Sequence, residues 1–369
     1  MPRRRMIRHL YVHIPFCPRV CPYCSFYKEA SDRNKTQGFL DAVLSEAERW
    51  SDQLQPHTIF FGGGTPSALS TPQLIYLLSG LHERLDFSQV SEWTLEMNPA
   101  TVSLEKACEL RRLGVNRISM GVQAWDAPSL EVLGRVHTAD QAERSYGILR
   151  EAGFSNVNLD LMFGVPGQSG ETWQSNVQKT IGLDPEHISA YCLTYEEDTE
   201  FFRRFELGDY GPDEDRDAAL FERTIDLLEA GGFGQYEISN YARPSRECLH
   251  NLAYWEGAEY VGLGPSAVTT ASGERQTNVS DTSAYVTRIA AGVSAAEEIE
   301  TIDATTHERE RLALGLRTRR GARASLSIAT AAKAARLVDE GLLVAANGNW
   351  TLTRRGRMVA DEVAAELWE

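Results

Sequence analysis

Positive charge is in short supply in this chain: 37 Lys and Arg stand against 52 Asp and Glu, a formal net charge of −15. A field of that sign repels polyanions and argues against nucleic acid as the main partner. Long apolar runs are also missing. No stretch approaches the roughly 20 residues that span a bilayer, and the start, Met1 to Leu10, has arginines but lacks the apolar segment and cleavage site of a secretion signal. Both absences point to the cytoplasm. There is no internal repeat and no low-complexity segment. Cysteine is sparse, at positions 17, 21, 24, 108, 192 and 248, and three of the six crowd into eight residues. In a chain without an export signal that pattern excludes a disulfide framework in favour of metal ligands or redox groups.

What is present is the material of a globular protein, with 369 residues and 42% hydrophobic residues, enough for two or three domains. Short stretches apolar on both faces alternate with amphipathic helical stretches. The strand candidates are Leu10–Ile14, Thr58–Phe61, Trp93–Met97, Arg117–Val122, Val157–Phe163 and Ile188–Thr194. Helices are expected over about Thr36–Leu54, Pro72–Leu85, Leu104–Leu113, Ala139–Ala152, Glu171–Ile181 and Asp215–Ala230. Six β-then-α units predict an α/β fold with a parallel sheet covered by helices, either an incomplete barrel or an open doubly wound sheet. Both place ligands at the C-terminal ends of the strands.

The rhythm stops near residue 240, so residues 1–240 read as one unit. Residues 241–300 read as a loop-rich extension across it, holding His250-Asn251-Leu252-Ala253-Tyr254-Trp255 and a Gly262-Leu263-Gly264-Pro265 turn. Residues 301–369 carry 11 Lys and Arg against 9 Asp and Glu, a weakly basic stretch. Two or three helices there lead to a hairpin turned at Asn347-Gly348, the outline of an α+β winged helix. A packing role without nucleic acid is the expectation for so weak a charge.

Cys17, Cys21 and Cys24 follow the first strand directly. A cuboidal [4Fe–4S] cluster needs one ligand per iron, and three thiolates leave one iron open to a small molecule. A zinc site would need a fourth ligand, with His13 the nearest candidate. A dithiol pair, Cys21 with Cys24, would leave Cys17 unused. Cys108 and Cys192 are expected to be small buried hydrophobes. Gly62-Gly63-Gly64-Thr65-Pro66 follows the second strand, where missing Cβ atoms let backbone approach a ligand. The Lys-Ser/Thr of a phosphate loop and the dinucleotide fingerprint are absent. Glu96 closes the third strand, Gln123 the fourth, Asp160 lies in the fifth and Arg135 comes soon after Gln123. With the cysteine loop, Tyr23 included, they describe a mixed-charge pocket suited to an amino acid joined to a nucleoside.

Tyr11-Val12-His13-Ile14-Pro15-Phe16-Cys17, Gly62 to Ser67, Asn116 to Gln123 and Asp160 to Gly167 resemble the oxygen-independent coproporphyrinogen III oxidase-like radical-SAM family, over nearly the whole chain. The His250 motif makes the likeness strongest to its heme-chaperone branch. The resemblance implies a partial (β/α)6 radical-SAM barrel with a [4Fe–4S] cluster, S-adenosylmethionine and heme as cofactors, and heme-acceptor proteins as partners. It implies Tyr11, Gly63 and Glu96 for the S-adenosylmethionine on the cluster, and Gly64, Thr65, Gln123, Arg135 and Asp160 for positions that hold a second one in the dehydrogenases. His250 is the implied heme ligand, with Cys248 as a second contact. The dehydrogenases carry a longer N-terminal arm and a further cysteine two residues after the third. Here ten residues precede Tyr11 and Phe26 takes that second place, so porphyrinogen oxidation is not expected. The Arg3-Arg4-Arg5 start allows peripheral contact with an anionic membrane, and a monomer or dimer is expected.

Overall fold

The structure is a computed structural model that describes residues 6–30, 33–323 and 328–368; Arg3 to Arg5 lie outside them. In chain order the elements begin with β1 (Ile7–Ile14), the short β2 (Phe16–Cys17) and β3 (Glu29–Ala30), α1 (Arg33–Arg49), β4 (Leu54–Gly63), α2 (Thr71–Arg84), β5 (Glu92–Met97) and α3 (Leu104–Arg112). They continue with β6 (Arg117–Gln123), α4 (Ala127–Val132), α5 (Ala139–Glu151), β7 (Val157–Phe163), α6 (Gly170–Gly182), β8 (His187–Cys192), α7 (Glu200–Glu206) and α8 (Glu214–Ala230). Strands β1, β4, β5, β6, β7 and β8 pair in parallel in that order. These are the six expected β-then-α units, and the last strand ends at Cys192 rather than Thr194.

Polar capping residues start the helices that follow the strands. Ser70 and Gln73 form a capping box at α2, Thr138 and Gln141 form another at α5, and Asp126 and Ser169 cap α4 and α6. Apolar side chains such as Leu10, Val12, Ile59, Phe61, Leu95, Ile118 and Leu159 lie wholly buried under the helices, all on the helix-covered face of the sheet by the strand register. The sheet stays open. One edge is covered by β11 (Val261–Leu263), parallel to β1, and the other by β9 (Gly234–Gln235) and β10 (Asn240–Ala242), with β10 antiparallel to β8. Neither outer parallel strand is left with an unpaired edge.

The stretch after residue 240 is therefore more ordered than its composition suggests. It contains α9 (Leu249–Trp255), β11, a meander of β12 (Val268–Ala271), β13 (Glu274–Asn278) and β14 (Ala296–Thr301), and α10 (Thr282–Ala290). The buried Glu46 on α1 fastens it, accepting from the Gly264 amide at 2.9 Å, Asn278 Nδ2 at 2.8 Å and the Tyr285 hydroxyl at 2.6 Å. Burial raises the Glu46 carboxyl above its usual range.

The tail holds α11 (Ala304–Leu316), β15 (Ala322–Arg323), α12 (Ile328–Asp339), the hairpin β16 (Leu343–Ala346) and β17 (Asn349–Leu352), α13 (Arg354–Met358) and α14 (Ala360–Trp368). Asn347 and Gly348 turn the hairpin at φ values of 54° and 75°, both in the left-handed region that such a turn needs. Helices against a small antiparallel sheet give the expected winged-helix-like shape. Its core runs from Leu312 to Leu367, and Ile238 packs against both this core and the barrel's. Among the described residues no helix is long and apolar enough to cross a membrane.

Candidate cofactor site

The cysteine loop leaves β1 and crosses the C-terminal ends of the strands. Its backbone is stitched to the glycine loop after β4: the Gly64 amide donates to Ile14 O at 2.8 Å and the Thr65 amide to Phe16 O at 2.9 Å. Gly64 is required there because a Cβ would sit 2.6 Å from Pro15 O and 3.0 Å from Cys17 Sγ. Gly63 has φ +106°, and a Cβ would meet the His13 ring at 2.6 Å. Buried Lys106 holds the loop from below, its ammonium donating to the carbonyls of Ser67 at 2.6 Å and Leu69 at 3.0 Å.

Cys17, Cys21 and Cys24 face one cavity of about 610 Å³ together with Tyr23, Gly63, Gly64, Thr65, Glu96, Gln123, Arg135 and Asp160. The strand ends thus bring together eleven of the thirteen expected residues; Tyr11 and His250 lie outside the cavity lining. The Tyr11 hydroxyl is 3.1 Å from His13 Nδ1, and its ring lies beside Phe60. Thr65 Oγ1 is 3.5 Å from Cys17 Sγ, and Arg135 donates to Cys21 Sγ at 3.5 Å and to Gly121 O at 2.8 Å. Burial raises the Cys17 and Cys24 thiols; the Thr65 hydrogen bond at Cys17 and the Lys28 charge at Cys24 oppose it.

The same cavity holds two interacting acidic side chains, Glu96 and Asp160. Burial, then the charge of Asp160, pushes Glu96 up to about 8, against a hydrogen bond from the Gly63 amide and the charge of Arg117. Asp160 is also raised by burial, and it accepts from Asn158 Nδ2 at 2.7 Å and Ser119 Oγ at 3.2 Å. Gln123 is held at φ 67°, where the β6–β7 register shifts. That conformation is uncommon for a residue with a side chain and is held by surrounding structure.

The residues fit the expected group on three observations. The glycine cradle leaves room beside Cys17 that any Cβ would fill. Gln123 Oε1 and Arg135 Nε are buried at the same cavity with no hydrogen-bond partner among the described residues, the state of groups awaiting a polar ligand. And the donor set is three thiol side chains, Cys17, Cys21 and Cys24, on one cavity, the chemistry of a cuboidal cluster that takes one thiolate per iron.

Sequence reasoning missed Arg117, Ser119, Asn158, Ser189 and Asn251 in the same lining. A signal existed for most of them. Polar residues two apart in a strand share a face, and Arg117 with Ser119, and Asn158 with Asp160, mark the inward face of β6 and β7. The expectation for the remaining cysteines is corrected: Cys108 and Cys192 are exposed. Cys108 is off the stripe of α3 buried through Ala107 and Leu110. Cys192 ends β8, where the barrel opens.

His250 sits behind the cavity wall, on a helix and not in a loop. It is 1% exposed. Its ring stacks on Phe60 at 5.3 Å and meets Tyr254 edge-on at 4.7 Å. Nδ1 is 2.8 Å from Thr58 Oγ1, which is 2.9 Å from His9 Nδ1. Nε2 is buried with no partner among the described residues. Burial, then the charges of His9 and Arg117, lowers the imidazole to about 3, so it is neutral. With Nδ1–H donating to Thr58, Nε2 carries the lone pair that a metal ligand needs. Cys248, also buried, is pushed up to about 12 by burial and by Glu92, which keeps it a thiol.

Residues 11–179 match the Radical SAM superfamily. The chain is 35% identical to the heme chaperone HemW of Bacillus subtilis, over 97% of this chain and 98% of that protein. It is 33% identical to the heme chaperone HemW of Mycobacterium tuberculosis, over 97% of this chain and 94% of that one. Among solved structures, coproporphyrinogen III oxidase (HemN) from Escherichia coli superposes with a TM-score of 0.86 at 22% identity, covering 99% of this chain and 91% of that chain. That likeness shows a shared fold.

Proposed function

The chain belongs to the HemW family of radical-SAM proteins, and from that premise we propose that it binds heme and passes it to acceptor proteins, with a [4Fe–4S] cluster on Cys17, Cys21 and Cys24 and an exchangeable S-adenosylmethionine beside it. The observation that carries the heme reading is the neutral, buried His250, whose Nε2 has no partner among the described residues and whose ring is packed between Phe60 and Tyr254. Imidazole nitrogen is a common axial ligand to heme iron. Delivery of His250 to heme requires its ring to be uncovered.

When bound, the cluster and S-adenosylmethionine supply one-electron chemistry at a sulfonium. The residues around them orient and exclude. Arg135 donates to Cys21 Sγ and so tunes the thiolate. Glu96 and Asp160 accept from an amino group or ribose hydroxyls, and Gln123 Oε1 adds a further acceptor. Phe26, where the dehydrogenases have a further cysteine, is an exposed apolar rim. The reading takes residues 1–240 as the cofactor barrel, 241–300 as the heme segment and 301–369 as a packing unit, in a cytoplasmic protein.

Hemin titration of the full, reconstituted chain tests it. A Soret band that saturates in the wild type and weakens at least about tenfold in His250→Ala supports the assignment. Binding unchanged in the variant removes His250 as ligand. A second reading, a radical oxidoreductase acting on coproporphyrinogen III or another tetrapyrrole, draws on the partnerless Gln123 Oε1 and Arg135 Nε at the cavity. Anaerobic formation of 5′-deoxyadenosine together with a modified tetrapyrrole would favour it.

A further inference from the structure

The helix that carries His250 has two sides. Asn251 lines the cofactor cavity, whereas Leu252 and Trp255 face a second and larger cavity, of about 960 Å³, closed on its far side by α11. That volume lies at the upper end of the several-hundred to roughly 1,000 Å³ range of small-molecule sites. His250 itself is sealed between Phe60, Tyr254 and Thr58 and does not line this space. The motif therefore presents its tryptophan, and not its histidine, to the larger opening.

The wall opposite Trp255 carries groups complementary to a planar, amphipathic ligand with carboxylates. Leu312 and Ile302 supply apolar contact. His307 and Arg311 are four residues apart on α11 and both line the cavity, as i, i+4 neighbours on one helix face do. Both are exposed. Four acidic residues share the lining: Glu256 pairs with Arg320 at 2.5 Å, Glu259 accepts from the Ser272 amide at 2.6 Å, Asp303 caps α11 through the Thr306 amide at 2.7 Å, and Glu308 lies beside His307, while Arg311 makes no ion pair with any described residue. An unpaired guanidinium suits a carboxylate, and the indole face of Trp255 that is not covered by the Arg317 guanidinium, 5.2 Å from the ring centroid, suits a flat macrocycle.

We infer that the cavity between α9 and α11 is a solvent-open receiving site for heme, with the macrocycle against Trp255, a propionate on Arg311 and His307 as the accessible axial imidazole. The inference rests on the heme reading above and adds to it a site separate from His250. An open site of this kind suits a protein that must both take up and release its cargo, since an exposed ligand can be exchanged without opening a core.

The test uses hemin and hemin dimethyl ester, which lacks the free propionates, titrated into the full chain and into His307→Ala and Arg311→Gln. Both positions are exposed, so both variants should fold, and equal urea midpoints and cluster iron content check it. The expected result is hemin affinity lower by at least about tenfold in His307→Ala, with a displaced Soret band. Arg311→Gln should weaken hemin and leave the dimethyl ester unaffected. Hemin should also quench the emission that is lost in Trp255→Phe. Hemin binding by the wild type that is unchanged in both α11 variants overturns this inference and leaves the heme function standing. Absence of hemin binding in the wild type overturns both.

Discussion

The Glu92 carboxylate caps the helix that carries His250: it accepts from the His250 amide at 3.0 Å and the Leu249 amide at 2.9 Å, and lies 3.4 Å from Cys248 Sγ. An anion at a helix N-terminus meets both the unpaired amides and the helix dipole. Within electrostatic reach of Glu92 and Asp160, though in ion-pair contact with no described carboxylate, lies Arg117, 2% exposed, whose guanidinium donates to Thr94 Oγ1 at 3.4 Å. Arg117 also lines the cofactor cavity, so one buried cation lies between the cofactor pocket and the heme motif.

Removing either member should be costly. Glu92→Gln leaves charged-group hydrogen bonds unmade and is expected to lower stability by about 1.5–3 kcal/mol. Arg117→Met removes a buried charge that acts on Glu92 and Asp160 from beyond ion-pair distance and should cost about 1–3 kcal/mol. Urea denaturation measures each, and the double variant should lose less than the sum because the two residues share one network. Additive losses would show that they act independently.

Gly64→Ala should break the cofactor site without touching a ligand. The added methyl falls 2.6 Å from a backbone oxygen, Pro15 O, and backbone yields less readily than a side chain. Displacement of the Pro15–Cys17 segment is expected to cost about 1–3 kcal/mol and to lower the iron retained per chain after anaerobic reconstitution. Iron content equal to that of the wild type would mean that the loop relaxes freely.

Glu96 makes the pocket sensitive to pH. Its carboxyl is raised to about 8 in the folded chain and returns to an ordinary carboxylate value, near 4.3, on unfolding. A raised acid stabilises the fold below the unfolded value and loses that contribution as pH climbs through the folded one. Without ligand, stability should therefore fall between about pH 4 and 8, and Glu96→Gln should flatten the fall. A cationic ligand beside Glu96 favours the ionised form, so S-adenosylmethionine binding at pH 7 should release protons, detectable by calorimetry in buffers of differing ionisation enthalpy. Proton uptake on binding would contradict the arrangement.

The barrel was legible because its signal is local. Ile59 and Phe61, or Ile118 and Met120, are apolar residues in short runs, and capping residues such as Ser70 and Thr138 punctuate them. The cysteines and strand-end carboxylates were legible because strand ends are where such a sheet binds ligands. Helix α9 was not. It is seven residues long, too short for a periodic pattern, and its cap, Glu92, is 158 residues away in sequence from His250. The edge strand β11 was hidden by Gly262, which reads as a turn. Its glycine answers a close approach instead, since a Cβ there would lie 2.2 Å from Val268 O. Arg117 was hidden because the neighbours that make it useful, Glu92, Asp160 and Cys248, come from three other parts of the chain.

The most direct measurement is electron paramagnetic resonance of the anaerobically reconstituted, reduced chain with and without S-adenosylmethionine, alongside iron and zinc analysis. Three thiolates with one open iron predict about four irons per chain and a signal that changes when S-adenosylmethionine is added, with both lost on replacing any of Cys17, Cys21 or Cys24 by Ala. Zinc in place of iron, or an iron signal indifferent to S-adenosylmethionine, would contradict the account.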